Sequence, residues 1–410
     1  MGSSRRQSSL SIAIIGAGIG GLAAAAALCR VGAKVMVYEQ AGRFARVGAG
    51  IQQSPNASRV LRGLGLEGRL RSFAFQPASS INREFDSGAI TNEYPLGSTV
   101  AARFGAPYLL LHRGDLHAAL VSIVPGHTIR LSKRLIGLES DSTGVSMRFA
   151  DGTVARADAV VAADGVHSVV REMLLGAEKP RFTGRVAYRT TFDAARLGDL
   201  TIDDSVKWWG PDRHIVMYYV NCRRDEVYFV TSTPEPDFEF ESWSATGDLK
   251  MLRKAYTAFH PTVRAVLAAC PGVHKWALVE RDPLPRWGDG RIVLLGDACH
   301  PMTPYMAQGA TMAVEDAAVL ARCVDGVDSD GVASAFRRYE LTRKPRTSKM
   351  QLTSRQNTWM RRETNADWVY GYDAWHEPLA IIDTGEGESS SGSGIRSPEP
   401  GERGNESATR

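Results

Sequence analysis

The fold is decided by the stretch Ile12-Ala-Ile-Ile-Gly16-Ala-Gly18-Ile-Gly20-Gly21, together with Glu39 at the end of the next apolar run. The apolar residues predict a buried strand, and the glycines predict a tight turn that opens a helix. Gly16 would allow the turn, Gly18 would let the backbone approach a pyrophosphate, and Gly21 would let helix and strand pack closely. Glu39 suits a ribose with free hydroxyls and would repel a 2′-phosphate. The stretch therefore predicts a dinucleotide-binding βαβ unit.

A glycine template alone is weak evidence, because the chain contains a second match, Gly63-Leu-Gly65-Leu-Glu-Gly68. Ser54 and Pro55 predict the start of a helix that runs to about Leu64, with Ser54 as its N-cap. The second match therefore follows a helix rather than a strand, which is typical of a helix C-cap and turn.

The composition of the 410 residues, with 43% hydrophobic and 23% charged, is that of an ordinary globular protein. This length exceeds what one hydrophobic core usually supports, so two lobes are expected. The 49 basic and 45 acidic residues give a net charge of +4, without the basic stripe that a nucleic-acid partner needs. The five cysteines are odd in number, far apart and without a Cys-x-x-Cys pair. This pattern favours a reducing, cytoplasmic location, and we expect no metal site.

The uncharged run from Leu10 to Cys29, preceded by Arg5 and Arg6, is superficially similar to a signal peptide or a membrane span. Glycines interrupt the run, and it leads directly into a second predicted strand. A strand, a glycine turn and a helix explain every residue, whereas a signal peptide explains only the apolarity. We therefore expect no membrane association.

The order of elements predicts an α/β protein with a Rossmann-like nucleotide-binding lobe, an inserted, mostly antiparallel β lobe and C-terminal helices. The inserted lobe is rich in aromatic and β-branched residues, as in Val186–Phe192 and His214–Val220. The polar start and the Gly-, Ser-, Glu- and Pro-rich end are predicted to be disordered. The expected limits are 1–9 for the disordered start; 10–78, 105–184 and 281–345 for the nucleotide-binding lobe; 79–104 and 185–280 for the inserted lobe; 346–383 for a C-terminal helical segment; and 384–410 for the disordered tail.

Two further predicted strands end at an aspartate. Arg291–Leu295 leads to Asp297, followed by a proline-rich loop and a helix from about Gly309. This aspartate could accept hydrogen bonds from a flavin ribityl chain, and the helix would direct its positive end at the flavin pyrimidine. Ala159–Ala162 similarly leads to Asp164. Taken alone, each could be an ordinary turn between a strand and a helix.

At this order and spacing, the three motifs resemble the flavin monooxygenases that hydroxylate aromatic rings, the single-component para-hydroxybenzoate hydroxylase type. The resemblance runs from about residue 11 to residue 376. Within this family the chain is most similar to the 6-hydroxynicotinate 3-monooxygenases, with the salicylate hydroxylases next. The segments that carry this similarity are Val47–Ile51, Leu111–His117, Lys207–Trp209, Asp212–His214, Arg224–Thr231 and Trp368–Asp373.

The resemblance implies FAD as the cofactor, NADH or NADPH as a reductant that docks transiently, O2, and a small aromatic substrate. The sequence offers one Rossmann unit, and in this family that unit binds FAD. A monomer or a homodimer is expected. From the glycine pattern, the strand ends and the resemblance together, the expected FAD contacts are Gly16, Gly18, Gly20, Gly21, Glu39, Gln40, Arg113, Leu135, Asp164, Asp297, Gly309 and Ala310.

The candidate substrate face follows from the period of the predicted strand His214–Val220. A strand places His214 and Tyr218 on one face, where both can touch a planar ring. A buried aromatic strand with no contact to substrate is the alternative. The resemblance favours the pocket, since the 6-hydroxynicotinate enzymes use a His and a Tyr at these two motif positions.

Two positions depart from that branch of the family. It would have a His, the proposed base, where this chain has Gln52, and a second His where it has Tyr305. An amide cannot take a proton, so 6-hydroxynicotinate is expected to be at best a poor substrate. The candidate catalytic residues are therefore His214, Tyr218, Gln52 and Tyr305.

Together these features predict an FAD-dependent monooxygenase that hydroxylates, with or without loss of CO2, a hydroxylated aromatic or pyridine carboxylate. One alternative is another flavin oxidoreductase, such as an amine or alcohol oxidase, which would incorporate no oxygen from labelled O2. A second is a non-catalytic binding protein of the FAD fold, which would purify colourless. The intact motif from Gly296 to Gly309 argues against this second alternative.

Overall fold

The computed structural model describes residues 10–46, 49–238 and 246–382. The predicted disordered start (1–9) and tail (384–410) lie outside the described residues, as do Val47 and Gly48 of one matching segment. The strands are β1 (Ser11–Ile15), β2 (Lys34–Tyr38), β3 (Gly50–Gln53), β4 (Ser79–Glu84), β5 (Ile90–Pro95), β6 (Leu109–His112), β7 (Ile129–Arg130), β8 (Leu135–Asp141), β9 (Gly144–Phe149), β10 (Val154–Ala157), β11 (Ala159–Ala162), β12 (Arg181–Asp193), β13 (Ser205–Trp209), β14 (His214–Tyr219), β15 (Glu226–Pro234), β16 (His274–Glu280), β17 (Gly288–Asp289) and β18 (Ile292–Leu294). The α-helices are α1 (Ile19–Arg30), α2 (Pro55–Gly63), α3 (Glu67–Arg71), α4 (Gly97–Phe104), α5 (Arg113–Val121), α6 (Val169–Leu175), α7 (Leu249–Ala255), α8 (Pro261–Ala269), α9 (Gly309–Val324), α10 (Val332–Arg355) and α11 (Asp367–Tyr370).

The first large sheet has the strand order β17-β18-β11-β1-β2-β7 and is parallel except for β17 at its edge. β1 is central, and its Ile15 pairs with Tyr38 of β2 and with Ala162 of β11. Because the carboxyl ends of parallel strands meet at one edge, this register brings together the residues that follow β1, β2, β11 and β18. The predicted Rossmann-like lobe is confirmed.

Small residues bring the two central helices of this lobe close together. Helix α1 is buried along nearly its whole length, from Ile19 to Leu28. A Cβ on Gly20 would lie only 3.1 Å from the Cβ of Ala313 in α9. Gly20 therefore serves the packing of α1 on α9, and this contact fixes where α9 begins relative to the glycine turn.

The second large sheet has the order β16-β12-β15-β14-β13-β4-β5, with antiparallel neighbours except for the parallel pair of β4 and β13. Its strands surround a hydrophobic core separate from that of the first sheet. β13 and β14 form a tight hairpin in which Trp209 pairs with His214. The predicted, mostly antiparallel lobe is confirmed.

The predicted domain limits stay predictions. Two of them fall inside secondary-structure elements: the limit after residue 184 lies within β12, which begins at Arg181, and the limit after residue 345 lies within α10, which runs through Pro345. Ser54 is at the N-cap position of α2, but its hydroxyl donates to Asn56 Oδ1 at 2.7 Å instead of capping the helix. Every helix in the described part of the chain is too short or too polar to cross a membrane.

The second glycine match is a turn, as predicted. Helix α2 ends at Gly63, and Gly65 has a φ of +81°, in the left-handed region that glycine adopts at helix ends.

Candidate active site

The turn after β1 uses glycine for two different reasons. Gly16 has a φ of +100°, and a Cβ there would lie 2.5 Å from the carbonyl oxygen of Ala163, while a Cβ on Gly21 would overlap Gly16 O. The protein's own backbone therefore requires glycine at both positions. At Gly18, the N-cap of α1, a Cβ would meet no described atom within 4 Å. Gly18 keeps space open in front of the helix N-terminus, where a phosphate group binds favourably.

Glu39 closes the far side of this turn. Ala17 N donates to its Oε2 and Ala41 N donates to its Oε1, each at 2.8 Å. His117, which was not among the predicted site residues, lies on another side of the turn, with its Nε2 2.8 Å from Ala17 O. Glu39 and His117 thus hold the glycine turn from both sides.

The other three FAD contacts predicted at this edge of the sheet have different surroundings. Gln40 is exposed directly after Glu39, and Leu135 is buried at the start of β8, just after a segment that bonds to Glu39 O. Asp164 instead accepts a hydrogen bond from Val170 N, at 3.2 Å, at the start of α6. Its predicted role as an FAD contact stays a prediction.

A cavity of about 320 Å³ lies between the carboxyl edge of the first sheet and one face of the second. Its walls come from β3, from β12 to β16, from the segment 297–310 and from the segment 359–370. All four candidate catalytic residues line it, together with four of the predicted FAD contacts: Gln52, His214, Tyr218, Tyr305, Arg113, Asp297, Gly309 and Ala310.

Opposite charges and a helix N-terminus meet on one wall of this cavity. Asp297 is exposed to the cavity, and the protein surrounds the cavity at this point. The resulting burial raises the pKa of Asp297, and His300 and Arg113 oppose this shift. Burial lowers the pKa of Arg113, and Asp297 opposes that shift in turn. Helix α9 begins at Gly309, where a Cβ would lie 3.9 Å from Asp297 Oδ1. A hydroxylated chain and a heterocycle that gains negative charge are suited to this wall.

Gln52 connects Tyr218 to a second tyrosine. The Tyr108 hydroxyl donates to Gln52 Oε1, which leaves the amide nitrogen of Gln52 to donate to Tyr218. Burial raises the pKa of Tyr218 well above its ordinary value of 10.0, and the bond from Gln52 opposes this shift only in part. Tyr218 is therefore protonated at neutral pH. Because its oxygen accepts from Gln52, its own O–H is available to donate into the cavity.

His214 lies among aromatic rings and positive charges. Its ring centroid is 5.1 Å from that of Trp209 and 5.5 Å from that of Tyr305. Burial lowers the pKa of His214 well below its ordinary value of 6.5. Among the described residues, the charged groups that add to this lowering are all cations, namely Lys207, Arg185 and Arg361. The imidazole is therefore neutral at pH 7 and can accept a proton.

Tyr305 is anchored on the neighbouring strand. Its hydroxyl lies 3.0 Å from Ser232 Oγ of β15, and burial raises the pKa of Tyr305. Tyr305 is therefore neutral at pH 7 and shapes the cavity beside His214.

Several residues that line the cavity were not among the predicted site residues, above all Lys207 and Arg189. For Lys207 the available signal was a charged residue among the apolar residues of a short strand. Arg189 lies in a strand with several other polar residues, and no local pattern marks it. The tight hairpin from Trp209 to His214 also indicates the register that places Lys207 beside the candidate substrate face.

Cys299, His300 and Asp316 form the one group in the described residues whose ligand atoms lie close enough to suggest a metal ion. His300 Nε2 lies 2.6 Å from Asp316 Oδ2, and Arg343 Nε donates to Asp316 Oδ1 at 2.7 Å. Both carboxylate oxygens are thus engaged next to a permanent cation, which disfavours a metal ion. The expectation of no metal site stays a prediction.

Together the two ends of the site fit the predicted FAD. The open space at Gly18 suits a pyrophosphate, Glu39 suits a ribose, and the wall with Asp297 and Gly309 suits the ribityl chain and flavin. A planar ring in the cavity would then lie within reach of His214 and Tyr218.

Comparison with known proteins agrees with this interpretation. A family model described as FAD binding domain matches residues 9–354. The 6-hydroxynicotinate 3-monooxygenase of Bordetella bronchiseptica is 47% identical over 370 residues, which cover 90% of this chain and 96% of that protein. The 3-amino-4-hydroxybenzoate 2-monooxygenase PtnB3 of Streptomyces platensis is 41% identical over 346 residues, which cover 84% and 87%.

A solved structure shows the same architecture. HpxO from Klebsiella pneumoniae, complexed with FAD and uric acid, is 27% identical and has a TM-score of 0.77, with 90% of this chain and 92% of that chain covered. The family model spans most of the chain, and the two curated relatives exceed 40% identity over more than four fifths of it. This chain therefore belongs to the family of FAD-dependent aromatic monooxygenases.

Proposed function

We propose that this monooxygenase hydroxylates a ring that carries both a hydroxyl and a carboxylate, with NADH or NADPH as reductant and O2 as oxygen donor. The observation that carries the proposal is the cavity that Tyr218 and His214 line together with Asp297 and the first residues of α9. The named relatives, which act on a hydroxypyridine carboxylate and an aminohydroxybenzoate, support this substrate class.

FAD would be held along the carboxyl edge of the first sheet. Gly18 and the N-terminus of α1 would receive the pyrophosphate, Glu39 the ribose, and Asp297 the ribityl chain, with Gly309 and the N-terminus of α9 at the pyrimidine. Bound at this edge, FAD would supply the redox chemistry of the reaction, with NAD(P)H as the source of electrons and O2 as the source of the oxygen atom added to the ring. The chain's own residues must place the ring, exclude water and handle the proton of the ring hydroxyl.

Tyr218 is proposed as the hydrogen-bond donor to the ring oxygen. Its hydroxyl is protonated, and the direction of the bond from Gln52 leaves that hydrogen for the substrate. A donor at this position stabilises the negative charge on the ring oxygen that makes the ring electron-rich. Gln52 therefore acts through Tyr218 by fixing which way its hydroxyl donates.

His214 is proposed as the acceptor of the ring hydroxyl proton. It lies on the same face of β14 as Tyr218, and both line the cavity, so both can reach one planar ring. Its lowered pKa keeps the imidazole neutral at pH 7. A positioned base of this kind typically contributes ~10²–10⁴ in rate. Tyr305, beside His214, would define the width of the cavity for the ring.

The natural substrate is proposed to differ from 6-hydroxynicotinate. Gln52 provides no proton acceptor, and its amide is already engaged with Tyr108 and Tyr218. A substrate that is readily ionised by His214, or activated by its own carboxylate, suits this cavity better than 6-hydroxynicotinate does. Hydroxylation at a carboxylated carbon would release CO2.

The test is a substrate screen on the purified holoenzyme. 6-Hydroxynicotinate, salicylate, 3-hydroxybenzoate and 4-hydroxybenzoate are each mixed with NADH or NADPH under labelled O2. We expect at least one acid to accelerate flavin reduction strongly, with NADH preferred, and to yield a product with one labelled oxygen atom. Oxidation of a ring acid without incorporation of label would contradict the proposal and identify an oxidase.

A cytoplasmic location is proposed because all five cysteines are free, which suits a reducing compartment. We also propose a monomer or homodimer, and the molar mass of the purified holoenzyme in solution tests this.

A further inference from the structure

The substrate cavity contains more positive charge than the proposed chemistry accounts for. Among the described residues, its lining includes the cations Arg113, Arg189 and Lys207 but a single carboxylate, Asp297. Arg113 and Asp297 act on each other electrostatically, so the charge of Asp297 offsets that of Arg113. The guanidinium of Arg189 lies 3.5 Å from the ring centroid of Trp276, and its pKa is lowered by burial to about 10. An excess of positive charge in an enclosed space favours an anionic ligand.

Of these three side chains, Lys207 is the one whose ammonium group lacks an acidic partner among the described residues. Its ammonium lies 3.7 Å from the ring centroid of Trp209 and 6.0 Å from that of Tyr305, and no described carboxylate lies within ion-pair distance. Burial lowers the pKa of Lys207 well below its ordinary value, and Arg361 adds to the lowering. An ammonium has three donors, and ring faces satisfy them only in part. These surroundings disfavour the charged form of Lys207 unless a ligand in the cavity supplies the opposite charge.

The strand register places Lys207 between the two proposed catalytic side chains. Lys207 of β13 pairs with Val216 of β14, which lies between His214 and Tyr218. Paired residues project from the same face of a sheet, so Lys207 is a diagonal neighbour of both, at a separation of roughly 7–8 Å that is somewhat smaller between Cβ atoms. A benzene or pyridine ring fits this triangle, with its hydroxyl near Tyr218 and His214 and a second, anionic group near Lys207.

Trp209 holds the ammonium in place. Its indole Nε1 donates to Asn82 Oδ1 at 2.7 Å, and its ring contacts both the Lys207 ammonium and the guanidinium of Arg361, which is 5.1 Å from the ring centroid. The ammonium is thus directed by a fixed ring rather than by a flexible acidic partner, and it remains available to a ligand.

We propose that Lys207 binds the carboxylate of the substrate and thereby selects ring carboxylates over neutral phenols and hydroxypyridines. This assignment rests on the proposed function and names the residue that recognises its substrate class. Hydrogen bonds to charged groups contribute about 1.5–3 kcal/mol, or about 10- to 100-fold in affinity.

The experiment compares matched pairs of ligands on the holoenzyme. The Kd values of salicylate and phenol, and of 6-hydroxynicotinate and 2-hydroxypyridine, are measured from changes in the flavin spectrum. Lys207→Met removes the charge and keeps the length of the side chain. The control is Lys275→Met, since Lys275 belongs to the same sheet and lies 5.2 Å from the ring centroid of Tyr188, but pairs with Glu235 and does not line the cavity.

We expect Lys207→Met to weaken binding of the acids by about 10- to 100-fold and of the neutral rings by less than about threefold. KM for an acid substrate should rise while kcat at saturation changes little, and the Tm of the ligand-free holoenzyme should not fall, because an unpaired buried charge is removed. Lys275→Met should leave the ratio of acid to neutral affinity unchanged.

The outcomes separate the two proposals. Suppose that the wild type binds the acids, but that Lys207→Met weakens the binding of acids and of neutral rings equally, or changes the binding of neither. The assignment of Lys207 is then wrong and the proposed function stands. If the wild type binds and hydroxylates no ring acid, the proposed function fails and the role of Lys207 fails with it.

Discussion

The glycine turn after β1 and the substrate wall on β13 and β14 are built by opposite means. The turn binds through main-chain groups within one βαβ unit, where Gly16 and Gly21 are required by contacts with neighbouring backbone. The wall binds through side chains, namely Lys207, His214 and Tyr218. Gln52 and Tyr305, from distant segments, complete the cavity around it. Cofactor binding therefore depends on a backbone shape that tolerates little change, whereas substrate choice depends on side chains that can change while the sheet persists.

The two regions also differ in how their charges are satisfied. Near the turn, Glu39 accepts two main-chain hydrogen bonds, and deeper in the same lobe His300 and Arg343 engage both oxygens of Asp316. On the substrate wall, the Lys207 ammonium lies against aromatic rings, and no carboxylate among the described residues lies within ion-pair distance of it. Substitutions in the turn should therefore remove the cofactor, and substitutions in the wall should change the chemistry of a protein that keeps it.

The largest effect is expected from Gly18→Val. A Cβ at Gly18 meets no described atom, so the chain should fold, but the added side chain would occupy the space proposed for the pyrophosphate. We expect nearly complete loss of bound FAD, measured by flavin absorbance per protein, with an unchanged far-ultraviolet circular dichroism spectrum. Gly68→Val is the control, since Gly68 belongs to the second glycine match and also has open space around it. Full flavin content in Gly18→Val would overturn the nucleotide assignment.

The next effect concerns His214 and pH. A base is active only when unprotonated, and burial and Lys207 lower the pKa of His214 from its ordinary value of 6.5. Wild-type kcat/KM should therefore stay high as pH falls to 6.5 and decline only below it. His214→Asn should reduce kcat/KM by ~10²–10⁴ at pH 7 and abolish that acidic decline, while FAD stays bound. An identical acidic decline in the variant would assign the proton acceptor elsewhere.

A somewhat smaller effect is expected from Tyr218→Phe. Removal of one donor to a developing oxyanion typically costs ~10²–10³ in kcat. Tyr219→Phe is the matched control, because Tyr219 is the next residue and lies on the other face of β14, where its ring is 5.7 Å from that of Phe75. Equal losses in the two variants would show that the strand, rather than the donor, was disturbed.

The smallest effect is expected from Gln52→His. A second proton acceptor beside Tyr218 should improve kcat/KM for 6-hydroxynicotinate by about tenfold, equivalent to ~1.4 kcal/mol. Salicylate, measured with the same two proteins, is the comparison and should show no such gain. Efficient hydroxylation of 6-hydroxynicotinate by the wild type, unimproved in Gln52→His, would show that this position does not set substrate choice.

The fold could be predicted from the sequence because the local patterns of apolar, glycine and alternating residues all indicated the same order of strands and helices. Apolar runs, the glycine turn and the alternation in His214–Val220 each indicate a single type of element, and the structure has those elements. Boundaries were less predictable: Pro345 indicates an end to a helix, yet α10 continues through it. Packing of the helix on the rest of the lobe outweighs the local penalty of that proline.

By itself, the sequence determined the dinucleotide-binding unit, the second, antiparallel lobe and the shared face of His214 and Tyr218, because all three follow from spacings of a few residues. Tertiary structure alone decided that Tyr108 orients Gln52 and that Lys207 lies between the two proposed catalytic side chains. It also placed His117 against the glycine turn. These contacts join residues far apart in the chain, and strand register and helix packing set them rather than any local pattern.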